Sequence, residues 1–542
     1  MAAGAREMAN EFDYVVVGAG SAGCILANRL SADPATRVLL LEAGPPDNAR
    51  REVKIPVAFG KLFHTELDWN YRTEPEPGLN GRGVYWPRGR TLGGSSSINA
   101  MMYVRGNPLD YQGWEKLGNE GWGWEDVLPT FKRSENNERG ADSHHGTGGP
   151  LNVADLRYVH PLTRAFIEAG KEIGWPYNPD FNGPTQDGIG LTQVTQKGGR
   201  RWSAADAYLR PAMTRSNLKV ETIALAEKVV FEHRRAVAVQ YVTGGLTRVT
   251  ARANREVILA AGAINSPQLL MLSGVGPADH LRAVGVRPIH DLPGVGQNLQ
   301  DHVAAAVQYL MTRPESLLNA TSPRALIQFL AFGRGMLTSN VAEATAFVTS
   351  SPDLPAPDLQ FVFAAALYNP EVPDSMEHGY SLGPMLLTPQ SRGRIELRSP
   401  HPTYPAAIYA GYLSDPAGDD LRRLVAALKV ARKLALARAL DPYRGQEIRP
   451  GPGVESDEDL EEYVRQSAAT LYHPVGTCKM GSDRMAVVDD ELRVHGVEGL
   501  RVIDASVMPL IPRGNTNAPT MMIGEKGADL VLAKNQAAQI GG

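Results

Sequence analysis

Three separated stretches of the sequence predict an α/β fold with a parallel sheet. In the first, Tyr14 to Val17 is apolar on both faces, as a central strand is, and Gly18, Gly20 and Gly23 then form a GxGxxG turn into a helix running to about Leu30. A second apolar strand, Val38 to Leu41, ends on the acid Glu42. In the second stretch, Glu256 to Ala261 (EVILAA) reads as a buried strand followed by Gly262 and a helix. In the third, Leu500 to Ile503 reads as a strand ending in Asp504, close to the C-terminus. The predicted domain is therefore Rossmann-like and assembled from discontinuous segments, residues 1–158, 218–301 and 467–542. Residues 159–217 and 302–466 are mixed in pattern, with alternating stretches such as Asp358 to Phe363 and Gly393 to Arg398. They predict a second, α+β domain built around a sheet that binds the substrate.

Each element has a physical reading. The three glycines allow a tight turn, close backbone approach to a pyrophosphate and close helix–strand packing, and free N–H groups at the helix start attract the phosphate charge. Glu42 lies 19 residues past Gly23, where a carboxylate accepts hydrogen bonds from a ribose. Residues Asn136 to Pro150 (NNERGADSHHGTGGP) read as a long polar loop with His144 and His145 solvated, since local spacing supplies no third metal ligand. Asp419 to Leu440 predicts an amphipathic helix, with Leu, Ala and Val on one face and Arg and Lys on the other. The short apolar pieces Val303 to Met311 and Ala325 to Phe332 predict buried core elements, with contact at a membrane surface as the alternative.

Composition narrows the function. Of 542 residues, 43% are apolar and 21% charged, and the net charge of −4 gives no reason to expect a nucleic-acid partner. Two cysteines, Cys24 and Cys478, form neither a disulfide framework nor a multi-cysteine metal site, so no metal is expected and a reducing, cytoplasmic setting fits. The leader Met1 to Glu11 lacks the apolar core of a secretion signal, and no run is long enough to span a bilayer. Peripheral association with a membrane stays open.

Five further segments carry a resemblance: GRTLGGSSSIN (Gly89 to Asn99), GAINSPQLLMLSGVG (Gly262 to Gly276), LYHPVGTCKMG (Leu471 to Gly481), DASVMP (Asp504 to Pro509) and NTNAPTMMIGEKGADL (Asn515 to Leu530). With the N-terminal fingerprint, in this order, they resemble the glucose-methanol-choline (GMC) oxidoreductases, nearest to bacterial L-sorbose, polyethylene-glycol and choline dehydrogenases. The resemblance implies an FAD-dependent enzyme. It places the pyrophosphate on Gly18, Gly20, Ser21 and Ala22, the adenosine ribose on Glu42 and Ala43, and the adenine by Ala226. It places Arg90, Gly93, Gly94, Ser97, Asn99 and Ala100 along the isoalloxazine ring. Ala261, Asp504, Ala505, Asn515 and Asn517 complete the cradle. The position that in some relatives carries a flavin-linked histidine is Ile98, so the FAD is expected to be non-covalent.

By the same resemblance His473 is the base that removes the alcohol proton, and Asn517 is the partner that orients the substrate oxygen. Histidine suits the task because its pKa lies near operating pH. The implied partners are a small-molecule alcohol and an electron acceptor, a quinone or artificial dye, with an O2-reducing oxidase as the alternative. A redox-inert, hydroxynitrile-lyase-like role and a light-driven decarboxylase stand behind these. Tyr472 flanks the expected site, Cys478, His401 and His495 have no assigned role, and Glu343 is the one candidate carboxylate for a choline-type ammonium.

Overall fold

The computed structural model describes residues 10–368 and 377–540, with side chains to residue 533. Most of the leader, residues 1–9, lies outside the described residues. Strand β1 (Glu11–Val17), helix α1 (Ser21–Leu30) and strand β2 (Val38–Leu41) form the opening βαβ unit. β1 lies parallel to β2 on one side and to β3 (Thr247–Leu259) on the other, Val15 sitting opposite Leu39 and Val257. All four residues of β2 are buried, which explains its unbroken VLLL sequence. Strand Leu218–Glu221 extends the sheet beyond β2.

The strand predicted at Glu256 to Ala261 is longer than the sequence suggested. β3 starts at Thr247, ends at Leu259, and works in two halves. Its first half pairs antiparallel with Arg235–Thr243, which in turn pairs with Ala224–Glu232. Its last three residues pair in parallel with β4 (Leu500–Val502). The exposed first half alternates in polarity, so only its apolar end stands out in the sequence. Helix α2 (Gly262–Leu272) follows directly.

A second, antiparallel sheet runs in the order 444–449, 307–311, 379–386, 359–364, 344–348 and 188–191, with 303–304 bridging 379–386 to 469–470. Helix α3 (Pro323–Phe332) lies outside it, and α4 (Asp419–Ala435) packs across strand Gly379–Leu386. α4 buries Leu421, Leu424, Leu428, Ala431 and Leu434 and stops at Ala435, a separate turn covering Arg438–Leu440. Helix α5 (Asn517–Ile540) ends the chain against α1. Arg29 of α1 is tied to Glu525 and Asp529 of α5, and a Cβ at Gly524 would come within 3.0 Å of the Ala22 Cα.

Two expectations are corrected. His145 is not in a solvated loop: it is 2% exposed, with Nδ1 2.8 Å from Glu135 Oε1 and Nε2 2.7 Å from Asp180 Oδ2. Glu135 is itself buried against Arg105, and Glu135–Asn137 pairs with Leu151–Val153 as a short parallel ribbon that anchors the loop. Residues 325–332 are not core either. They form most of α3, which buries Ala325 and Phe329 and leaves Leu326, Ile327, Leu330 and Phe332 exposed. Val303–Ala304 and Val307–Met311 are buried strands as expected, apart from the half-buried last residues. No helix of the described residues is long and apolar enough to cross a membrane.

Candidate active site

One cavity of about 980 Å³ runs from the carboxyl ends of β1 and β2 to the second sheet. Its first part is lined by Gly18, Gly20, Ser21, Ala22, Glu42, Ala43 and Ala226. Gly18, at φ +99°, holds a backbone conformation that L-residues avoid, and a Cβ there would meet the Ala260 carbonyl at 2.6 Å. A Cβ at Gly23 would sit 1.8 Å from the Gly18 oxygen, so the first turn of α1 rests directly on the glycine loop. Glu42 is clamped by two backbone donors: Ala19 N–H donates to Oε2 (3.0 Å) and Gly44 N–H to Oε1 (2.9 Å). Burial raises its pKa to about 7 against these bonds, leaving a carboxyl poised to take hydroxyl partners.

Further along, Arg90, Gly94, Asn99, Ala100, Ala261, Asp504, Ala505, Asn515 and Asn517 all reach the wall. Gly93 and Ser97 do not line it. Gly93 N–H donates to the Ala19 carbonyl (2.7 Å), and the Ser97 hydroxyl donates to the Leu92 carbonyl (2.7 Å), so they build the turn that presents Gly94. The Asp504 carboxylate is also internal, accepting from Gly262 N–H and Ser266 Oγ on one oxygen and from Ser506 on the other. It ties α2 to the end of β4.

His473, Asn515 and Asn517 all reach the cavity wall, and the two asparagines take different neighbours. Asn517 Oδ1 accepts from the Ser21 hydroxyl (2.8 Å), at the start of α1. The amide that meets His473 is Asn515, whose Nδ2 lies 3.2 Å from His473 Nε2. Asn517 is the first residue of α5 and faces the glycine loop, whereas Asn515 precedes the helix and reaches the histidine. The alternating Asn-Thr-Asn in the sequence gives no signal for choosing between them.

Sequence reasoning missed the groups that hold His473. Asp301 Oδ1 accepts from the His473 backbone N–H (2.8 Å), while Oδ2 accepts from Thr470 Oγ1 (2.6 Å) and from the Tyr412 hydroxyl. Tyr472, at φ +68°, holds a left-handed turn fixed by Arg88 on its carbonyl (2.6 Å) and by Thr470 Oγ1 on its N–H (2.6 Å). Behind His473 stands a second buried histidine, His302, with the two Nδ1 atoms 2.9 Å apart. The DH pair at Asp301–His302 is far from His473 in sequence, and the pairing of 303–304 with 469–470, continued by the Gln300–Val475 bridge, brings them together.

This chain of hydrogen bonds fixes the tautomer. His302 Nε2 faces the Leu387 carbonyl at 3.2 Å, and a carbonyl only accepts, so the hydrogen is on Nε2. His302 Nδ1 is then the acceptor, and the hydrogen between the rings belongs to His473 Nδ1. His473 Nε2 then carries the lone pair at the cavity wall, where it accepts from Asn515 Nδ2 (3.2 Å). Burial drops the His302 pKa to about 3, and burial, His302 and Arg88 together hold His473 well below the usual imidazole range. Both rings are neutral near pH 7, the state that a proton acceptor requires.

Beyond His473 the cavity becomes an aromatic and aliphatic chamber. Phe59, Phe63, Tyr85, Ile98, Val341, Tyr368 and Tyr472 surround it, with Phe63 edge-on to Tyr472 and the Tyr368 and Tyr472 hydroxyls 3.0 Å apart. Among the described residues the only carboxylates on the whole cavity wall are Glu42 and Asp504, both in the first part. Glu343 is fully buried elsewhere, accepting from His160 N–H, Thr163 and Ser339, and leaves no oxygen for a ligand cation. Among the described residues no three side chains converge to hold a metal ion.

A glycine turn, an acid at the end of the second strand and a long cleft ending at a histidine define a dinucleotide-binding oxidoreductase. The wall fits such a group: Arg90 Nε and Asn515 Oδ1 are buried on it without a hydrogen-bond partner, and a Cβ at Gly94 would close to 2.7 Å on the Gly20 Cα. Comparison with known proteins is consistent with this. Residues 12–304 and 389–524 match the N- and C-terminal GMC oxidoreductase family models, and the chain belongs to the GMC oxidoreductase family. It is therefore an FAD-dependent oxidoreductase. It is 46% identical to an alcohol dehydrogenase (acceptor) of Pseudomonas putida, over 98% of this chain and 97% of the relative. It is 45% identical to human mitochondrial choline dehydrogenase, over 98% of this chain and 91% of that one. Among solved structures, pyridoxine 4-oxidase of Mesorbium loti superposes with a TM-score of 0.87 at 34% identity, covering 96% of this chain and 98% of the other.

Proposed function

We propose that this enzyme oxidises uncharged alcohols with apolar chains to aldehydes or ketones and passes the electrons to a quinone or similar acceptor. The observation that carries the reading is the unprotonated Nε2 of His473 at the junction between the cofactor cleft and a largely aromatic and aliphatic chamber on which, among the described residues, no carboxylate stands. The substrate hydroxyl takes the place between them: Asn515 Nδ2 gives up its bond to the ring and donates to the substrate oxygen, and His473 Nε2 takes the hydroxyl proton. Bound FAD supplies the hydride acceptor, held non-covalently because Ile98 offers no nucleophile beside it. Segments 1–158, 218–301 and 467–542 hold the cofactor, and 159–217 and 302–466 the substrate. The strand Ala469–Thr470 is lent to the second sheet.

An uncharged alcohol is favoured over choline because, among the described residues, no carboxylate stands on the chamber wall to add to what its aromatic rings offer a quaternary ammonium. The acceptor preference follows the Pseudomonas putida relative, whose name specifies one. The test is anaerobic titration of the purified yellow protein with 1-octanol, benzyl alcohol and choline. Bleaching by the first two but not choline is expected; bleaching by choline alone refutes the substrate class. Turnover that is fast with O2 and slow with a quinone or dye would make it an oxidase.

A further inference from the structure

Helix α3 exposes apolar residues that a water-facing helix ordinarily hides. Leu326, Ile327 and Leu330 share one face at 47%, 62% and 63% exposure, and Phe332 at its end is 69% exposed. The opposite side is anchored: Ala325 and Phe329 are buried, and Arg200 lies over the Phe329 ring at 4.8 Å. Arg200 belongs to a hairpin of Gln196–Lys197 and Arg200–Arg201, whose Gly199 packs on the Gly333 backbone.

The two segments that carry this patch hold only cations between their bounding acids, Asp187 and Asp206 in one and Glu315 and Glu343 in the other. From Ser316 to Ala342 the chain carries Arg324 and Arg334 and no acid, and from Gly188 to Ala205 it carries Lys197, Arg200 and Arg201 and no acid. Lys197, Arg200, Arg324 and Arg334 are exposed, whereas Arg201 is buried. The patch therefore combines an apolar ridge with four surface cations in a protein whose net charge is −4. Position adds to this. The chain passes from Gly333 through the turn Met336–Thr338, which packs against Pro56–Leu62, to Val341 and Ala342 on the cavity wall. Phe59 and Phe63 line the same chamber.

We propose that α3 and the 196–201 hairpin dock this enzyme on an anionic lipid surface, with the substrate chamber beside the bilayer. An apolar ridge rimmed by Lys and Arg is the pattern of an interfacial helix, its Leu and Phe side chains entering the acyl boundary and its cations meeting headgroup phosphates. The location deepens the reading of an apolar-alcohol enzyme, because such alcohols concentrate in the bilayer. It does not depend on the identity of the base.

The test is flotation of the FAD-loaded protein with phosphatidylcholine vesicles containing or lacking phosphatidylserine. Binding to the anionic vesicles, weakened by salt, is expected. In Arg324→Gln/Arg334→Gln the partition coefficient falls roughly 30-fold, at about five-fold per cation. Leu330→Glu/Phe332→Glu abolishes binding, while turnover of a water-soluble alcohol with a soluble dye stays unchanged. No binding by the parent protein overturns the proposal, as does equal binding by the parent and both variants. A dimer that Leu330→Glu/Phe332→Glu dissociates, without vesicle binding, also overturns it and assigns the patch to a second copy of the chain. Separately, loss of alcohol oxidation with vesicle binding intact would count against the proposed reaction and not against the docking surface.

Discussion

Replacing His302 tests the geometry of the site without touching the group that faces the substrate. In His302→Leu the His473 Nδ1–H loses its one partner among the described residues, 2.9 Å away, in a buried position. An unpaired buried donor costs about 1–3 kcal/mol. His473 can relieve this by carrying its hydrogen on Nε2, where Asn515 Oδ1, buried and without a partner, becomes an acceptor once the amide turns over. That tautomer has no lone pair for the alcohol. The same 1–3 kcal/mol then appears as a loss of the competent tautomer, and flavin reduction slows by about 5- to 150-fold. His302→Gln can still accept at Oε1 and donate to the Leu387 carbonyl at Nε2, so it should recover most of the rate. The assay is anaerobic stopped-flow reduction at saturating alcohol across pH, with ¹⁵N NMR of the histidines reporting the tautomer directly. An undiminished rate in a folded, FAD-loaded His302→Leu protein refutes the reasoning. So does a Gln variant as slow as Leu, since that would make the ring's packing, and not its acceptor nitrogen, the cause.

Three other outcomes follow from the geometry. Asn515→Ala should slow flavin reduction by about 10-fold or more, the value of a hydrogen bond of about 1.4 kcal/mol, whereas Asn517→Ala should mainly weaken FAD retention through loss of the Ser21 contact; the reverse pattern would restore Asn517 beside the substrate. Glu42→Ala leaves the Ala19 and Gly44 N–H groups without their acceptor, so the apoprotein should lose about 2–4 kcal/mol in denaturant melts and FAD should dissociate more readily. Burial alone would lower the His145 pKa, but Asp180 and Glu135 raise it to about 9. A folded pKa above the unfolded value of about 6.5 gives stability that is complete below that pH and lost as pH rises toward 9. Melting temperatures of the parent and His145→Gln should therefore converge between pH 6 and 10, and parallel curves would remove the ion pairs from the account.

The sequence was most legible where local chemistry dictates local shape. The glycine turn, helix and acid fall at their expected bounds and the opening strand starts three residues earlier than expected, because Gly18 and Gly23 admit no side chain and the apolar ends of β1 and β2 are buried on both faces. His473, singled out through resemblance, does stand on the cavity wall. What holds it was not legible, because Asp301 and His302 reach it through strand pairing across more than one hundred and seventy residues. His145 looked like loop because its stabilising carboxylates, Glu135 and Asp180, are polar residues whose burial leaves no hydrophobic trace in the pattern. α3 looked like core for the opposite reason: periodicity reports that residues are apolar, not that anything covers them.

The two-part pairing of β3 constrains how the molecule can be made. Its first half finds a partner nearby in the chain and its last residues pair on one edge with β1, but their other edge is closed only by the distant β4. The wall supplied by Asp504, Asn515 and Asn517 is equally late. A ribosome-bound chain therefore carries an open sheet edge and an incomplete cleft until β4 and the residues through Asn517 have emerged, and cofactor capture follows them. Shortened chains that stop before Leu500 are not smaller enzymes; they are exposed strand edges awaiting a neighbour.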